Sequence, residues 1–198
     1  MKVEGYLFVG CAAFFAVVDI IYWYFSHDPT GTTATAPRAP HAPRRRDLRG
    51  ATVGLLVNTK QNAAPFLDEV GRLLVQRHGA TGTMAWTKVN FAAPAPDDLV
   101  KEMTSGCDVI VTGIGDCGSC SASSVADGIA FEAAGLPAAA ICSDAFRVTA
   151  DAMAELRGAP GYRYATTPHP VAVLTPDQVK QRAAQVLDDV MNLLTEPE

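Results

Sequence analysis

Cysteine is sparse in this sequence: five residues, at positions 11, 107, 117, 120 and 142. They are odd in number and scattered, so the disulfide framework of a small secreted domain is not expected, and a reducing compartment is the simpler assumption. Basic charge is scarce beyond residue 49. The chain carries 16 Lys and Arg against 21 Asp and Glu, and six of those basic and four of those acidic residues lie in residues 1–49. Ten basic and seventeen acidic side chains remain, a net charge of −7, which argues against nucleic acid as the main partner of that part. There is no internal repeat, no zinc-type ligand spacing, and no later segment apolar and long enough to span a membrane.

What is present suits one soluble domain with a real core and a short appendage, at 48% hydrophobic and 19% charged residues. The appendage begins with "YLFVGCAAFFAVVDIIYWYF", residues 6–25, whose only charge is Asp19. Its length and the aromatic belt Tyr22-Trp23-Tyr24 predict a membrane helix within residues 1–27. A cleaved signal peptide is the competing reading, but the apolar core is overlong and the arginines follow it. Arg38 to Arg49 then place the C-terminal part in the cytoplasm, as a single-pass protein of the plasma membrane. Asp19 in lipid costs about 2.5–3.5 kcal/mol, which hints at a partner helix or a shifted span. Residues 28–49, rich in Pro, Ala, Thr and Arg, read as a flexible linker, and 50–198 as the globular domain.

The first 34 residues also resemble the start of actinobacterial cytochrome c oxidase polypeptide 4, before the chain turns into "TATAPRAPHAPRRRD". That resemblance carries no catalytic residue. It implies a natural fusion or a joined reading frame, and one alternative function, an accessory subunit of a respiratory oxidase complex. Were the segment not native, the domain would be cytoplasmic.

From residue 51 apolar runs alternate with helical periodicity. Strands are expected at "ATVGLLV", "TGTMAWTKV", "CDVIVTG", "AAAICS" and "YRYATTP". Helices are expected at "FLDEVGRLLVQRH", "APDDLVKEM", "CSASSVADGIAFEAAG", "DAFRVTADAMAELRG" with Asp144 as N-cap, and "TPDQVKQRAAQVLDDVMNLL". Strands without polar alternation, each followed by a helix, predict an α/β fold. Its sheet is open and mostly parallel, flavodoxin-like or Rossmann-like, with helices on both faces. With strand order 2-1-3-4-5, ligands bind between strands one and three, at the loops "NTKQN" and "GIGDCGSC".

The second loop carries Cys117-Gly-Ser-Cys120 at the start of a helix. Such a position stabilises a thiolate on the first cysteine, and the second, one turn on, can close on it. Gly113, Gly115 and Gly118 match G-x-G-x-x-G in spacing, but the run follows the third strand, and Gly135 and Pro137 stand where an acidic residue would be needed. No nucleotide cofactor is expected. A metal site would need Cys142 and His169 beside the pair, a set without recognised spacing, so no metal is expected either. Two inert structural thiols remain an open alternative, as does a binding module without catalysis. His169, between two prolines, is a candidate acid or base, or a plain turn histidine. Lys60 is a candidate for holding an anionic group, or a solvated surface lysine. Candidate substrate contacts at the two loops and the neighbouring strand end are Asn58, Lys60, Asn62, Gly115, Asp116, Gly118, Ser119 and Asp144.

The block "VTGIGDCGSCSASSVADGIAFEAAGLPAAAICSDAF" with "ATTPHP", and "LLVNTKQNA" before it, resembles the UGSC-like family over residues 51 to about 194. Members of that family often carry selenocysteine at the position of Cys117. The same block is similar to the selenocysteine region of glycine/sarcosine/betaine reductase component B. The resemblance implies that Cys117 is the nucleophilic or redox position and Cys120 the resolving thiol. It further implies a thiol-dependent oxidoreductase or nucleophilic enzyme acting on a small molecule, with a thiol electron donor as partner. The third cysteine of the reductase motif falls on Ser123, and nothing matches the partner that supplies the reductase's carbonyl group. Amino-acid reduction is therefore not implied.

Overall fold

The computed structural model describes residues 41–196, and the expected membrane helix lies outside them. Among the described residues no helix is long and apolar enough to cross a membrane.

Five strands form one sheet: β1 (Thr52–Val57), β2 (Gly82–Thr87), β3 (Val109–Gly115), β4 (Ala138–Ser143) and β5 (Ala165–Thr167). Their order is β2-β1-β3-β4-β5, and every pairing is parallel. The helices are α1 (Ala63–His78), α2 (Asp97–Gly106), α3 (Gly118–Ala133), α4 (Arg147–Leu156) and α5 (Pro176–Leu194). This is the flavodoxin-like order expected from the strand pattern.

The unbroken apolar runs of β1, β3 and β4 follow from burial on both faces, whereas the edge strand β2 is mostly exposed. Val53, Leu55 and Val57 of β1 join Phe66, Leu67, Val70 and Leu74 of α1 and Val186, Leu187 and Val190 of α5 in one core. Leu56, between them, points the other way into a cluster with Ile110, Met103 of α2 and Phe131 of α3. A third cluster joins Val125 and Ile129 of α3 to Ala150 and Ala154 of α4, with Cys142 beneath. Each fully buried Leu or Phe contributes about 1.5–3 kcal/mol, so these clusters hold the helices to the sheet far more firmly than helix propensity does. Helix ends follow the sequence closely. Gly79 ends α1 in a left-handed conformation at φ 74°, and Thr175 with Gln178 forms a capping box on α5.

Three local expectations are corrected. The second strand stops at Thr87, and the next residue, Lys88, is buried with its backbone N–H still donating to Val57. The helix after β4 begins at Arg147, behind a single 3-10 turn over Asp144–Phe146, and Asp144 makes no side-chain cap there. The third helix starts at Gly118 rather than Cys120, with Cys117 as its N-cap, so the whole cysteine pair sits in the first turn.

Residues 41–49, which composition assigns to the linker, lie against the domain. The backbone N–H of Ala42 and the guanidinium of Arg44 both donate to the buried carboxylate of Glu132, at 2.7 and 2.8 Å. Leu48 is completely buried.

Candidate functional site

The carboxyl ends of β1 and β3 meet where the strand order reverses, and Asn58 joins them. Its backbone N–H donates to Gly113 and its side-chain amide to the Ile114 carbonyl, at 3.0 and 2.8 Å. The Asn58 side-chain oxygen accepts from the N–H of Lys60 at 3.1 Å. At the end of β3 the chain passes directly from Gly115 through Asp116 to Cys117. Gly115 has no side chain for a packing reason: a Cβ there would stand 2.7 Å from the Ser121 Cα and 2.8 Å from the Cys142 sulfur. Its carbonyl accepts hydrogen bonds from the hydroxyls of Ser121 and Ser143, each at 2.9 Å. The glycine thus lets the first turn of α3 lie flat on the strand end.

Cys117 and Cys120 are within disulfide distance in that turn, with Cα atoms 5.1 Å apart. The N–H of Cys120 donates to the Cys117 sulfur at 3.3 Å, and the Ser119 hydroxyl is 3.6 Å from it. Cys117 is half-buried, whereas Cys120 is fully buried. A reagent from solvent therefore meets Cys117 first. The remaining described thiols differ in kind. Cys142 is sealed in the core, and burial pushes its thiol up to about 12. Cys107 is half-buried, and burial raises it as well, helped by the neighbouring Asp108.

Against Asp116, the residue before Cys117, stands the loop from Pro168 to Leu174, which carries His169. The His169 Nδ1 lies 3.0 Å from one carboxylate oxygen of Asp116, and the Ser143 hydroxyl is 3.4 Å from the same nitrogen. Asp116 is nearly buried, and its two oxygens also accept from the backbone N–H groups of Val171 and Ala172 at 2.9–3.0 Å. Asp144 accepts from the His169 backbone N–H at 3.0 Å, and the Phe146 ring meets the imidazole edge-on. Asn62 donates its side-chain amide to three carbonyls of the same loop, those of Val171, Ala172 and Leu174. Arg182 of α5 donates to the Pro168 carbonyl. The peptide bonds Gly113–Ile114 and His169–Pro170 are cis.

The fold thus brings His169, Asp116, Asp144 and Asn62 together around one loop, one residue from Cys117. Asn58, Asn62, Asp116 and Asp144 spend their polar groups on the protein's own backbone or on His169. Lys60 lies 5.0 Å above the Phe91 ring. Gly118 and Ser119 border an open, largely apolar groove of about 360 Å³ between α3 and α4, lined also by Ala122, Thr149, Met153 and Leu156. A larger cavity of about 540 Å³ lies at the C-terminal ends of α1 and α5, around Arg49, Gly79 and Thr195, and shares no residue with the cysteine loop.

Ser143, Phe146 and Arg182 escape sequence reasoning, since nothing in their local pattern marks them. Lys88 and Asp127 do leave a trace. An Asp amid the apolar face of "ASSVADGIAF" needs a partner, and Lys88 supplies it at 2.6 Å, with both side chains buried. Ser123, where the reductase motif has its third cysteine, accepts from Lys88 and donates to the Ala93 carbonyl. Among the described residues no three His, Cys, Asp or Glu side chains are grouped to hold a metal ion.

A search of curated proteins finds no match. Among solved structures, the flavodoxin-like domain of a Synechococcus protein aligns at 18% identity and a TM-score of 0.36, over 71% of this chain and 93% of that one. An ABC transporter permease from the Pseudomonas fluorescens group aligns at 14% identity and a TM-score of 0.33, over 74% of this chain and 35% of that one. The sequence profile of the UGSC family matches residues 26–196, which takes in the whole described domain and the cysteine loop. The chain belongs to the UGSC family.

Proposed function

We propose that the domain is a thiol-dependent oxidoreductase whose working pair is Cys117 and Cys120. The observation that carries this reading is the asymmetry of the pair in the first turn of α3, one sulfur reachable and the other buried. In the reduced protein, the unpaired N–H groups of the helix favour the Cys117 thiolate. That thiolate attacks one sulfur of a small-molecule disulfide, and the other sulfur leaves as a thiolate and is protonated. Cys120, after losing its proton, then attacks the Cys117 sulfur of the mixed disulfide. The second substrate thiol is released, and the Cys117–Cys120 disulfide remains. A dithiol donor reverses the same two exchanges, becoming a disulfide while the pair takes up two electrons and two protons. Lys60, Gly118 and Ser119 offer the substrate its contacts, and His169 serves proton transfer.

Alkylation of the reduced protein across pH tests this, with the adduct located by peptide mass. Cys117 is expected to react at neutral pH at least about tenfold faster than a free thiol, whose pKa near 8.5 leaves it mostly protonated there. If Cys117 reacts no faster than the free thiol, or if Cys117→Ser leaves the protein's function intact, the pair is inert and the reading is wrong.

A further inference from the structure

Four side chains from separate parts of the chain converge on the Pro168–Leu174 loop: Asn62, Asp116, Asp144 and Arg182. Three of them look like substrate contacts in the sequence. We infer instead that Asp116 is a positioning residue, which holds His169 by Nδ1 and so presents Nε2 as the proton-transfer atom of the Cys117 site. Resting on the thiol-exchange reading above, this assigns the proton route that the reading needs.

A carboxylate can only accept, so the imidazole nitrogen 3.0 Å from Asp116 carries the hydrogen. In the neutral ring Nε2 then holds the lone pair. Among the described residues Nε2 has no hydrogen-bond partner, and the side chain is 37% exposed. Asp116 is itself fixed by the N–H groups of Val171 and Ala172, and Asp144 fixes the His169 backbone, so neither loop nor ring turns freely. The groups facing the ring are Asp116 from the end of β3, Ser143 from β4, and Phe146 with Asp144 from the turn after it. Arg182 faces the loop from α5.

The step balances as follows. Nε2 takes the proton of the Cys117 thiol, giving thiolate and imidazolium. The thiolate displaces one half of the substrate disulfide, and the imidazolium returns the proton to the departing sulfur. Thiol and disulfide become mixed disulfide and thiol, and the ring ends neutral.

Asp116→Asn is the informative variant. Its remaining oxygen is drawn to the Val171 and Ala172 N–H groups, which turns the new amide NH₂ toward His169 Nδ1. Nδ1 must then accept, and the hydrogen moves to Nε2. The test uses the full chain, reduced, with hydroxyethyl disulfide as probe, in wild type, Asp116→Asn and His169→Gln. At neutral pH both variants are expected to slow formation of the Cys117 mixed disulfide by about 10²-fold, the low end for a general base. Near pH 10, where a thiol ionises unaided, both should return to within about threefold of wild type. The ¹⁵N signals of His169 should show an unprotonated Nε2 in wild type and a protonated one in Asp116→Asn. Equal losses at neutral and alkaline pH would mean that Asp116 only supports the loop, and the inference would fall. An unchanged ¹⁵N signature would overturn it too. A wild-type Cys117 that never exchanges sinks the oxidoreductase reading instead, and the ¹⁵N comparison still decides the part played by Asp116.

Discussion

At the scale of single residues, the site depends on how closely α3 approaches β3, and Gly115 sets that distance. Gly115→Ala places a Cβ within 2.7 Å of the Ser121 backbone, so the first turn of α3 must lift. Overpacking of this kind costs about 1–3 kcal/mol, and denaturant unfolding should show it together with slower alkylation of Cys117. A variant as stable and as reactive as wild type would show that the contact is slack. Cys142 allows a second test. Its folded-state thiol is raised to about 12 by burial, well above the ordinary range of about 8.5–9 for an unfolded thiol. Below pH 9 both states hold the proton and stability is unaffected. As pH rises from 9 toward 12 only the unfolded state releases it, so stability contributed by the protonated folded state is lost. Around pH 10 wild type should lose about 1–2 kcal/mol that Cys142→Ala retains, each measured against its own value near neutrality. Parallel pH curves for the two proteins would refute this.

At the scale of elements, α3 carries both the cysteine turn and the buried polar groups that tie distant loops to it. Asp127 accepts from Lys88 and from the N–H of Ala95, both at 2.6 Å, and so fixes both ends of the β2–α2 connection. Burial pushes the Asp127 carboxyl up while the Lys88 ammonium pulls it back, and this balance leaves the pair intolerant of losing one member. Lys88→Met strands the carboxylate and should cost about 3–5 kcal/mol. Lys88→Met with Asp127→Leu removes both charges and should recover most of that loss in the same denaturation experiment. If the double variant is no better than the single one, packing and not the unpaired charge explains the cost. The helix α5 shows the opposite case, in which the local sequence is sufficient. Thr175 and Gln178 close a capping box over the first turn, with Pro176 at its first position.

For the whole molecule, the boundary of the folded unit lies before the strand pattern begins. Ala42 and Arg44 satisfy Glu132 on α3, Arg45 pairs with Asp108, and Leu48 fills the core beside α1. A chain starting at residue 50 would leave Glu132 bonded to Ala138 alone and expose the pocket of Leu48. Its melting temperature should fall by about 4 °C or more relative to a chain starting at residue 37. That estimate counts one buried Leu and one stripped carboxylate, at least 2 kcal/mol together, in a domain of this size. Equal melting curves would return residues 41–49 to the role of a linker.

The sequence by itself determined whatever depends on neighbours along the chain. Apolar strands without alternation specify a sheet covered on both faces, and a 3.6-residue period specifies α1 and α5. Glycine-rich turns place Cys117 and Cys120 at a helix start on the sheet's carboxyl edge. Tertiary structure alone decided which polar side chains serve the site and which serve the chain. Asp116 meets His169 across 53 positions and Asn62 meets Val171 across 109, while Glu132 reaches Ala42 across 90. Such pairs leave no period in the sequence, because a carboxylate or amide beside a glycine loop looks the same whether it faces a ligand or a backbone N–H. Only the folding of β1, β3, β4 and β5 into one parallel sheet brings their loops within hydrogen-bond reach, and there Asp116, Asn62 and Asp144 turn to the loop that carries His169.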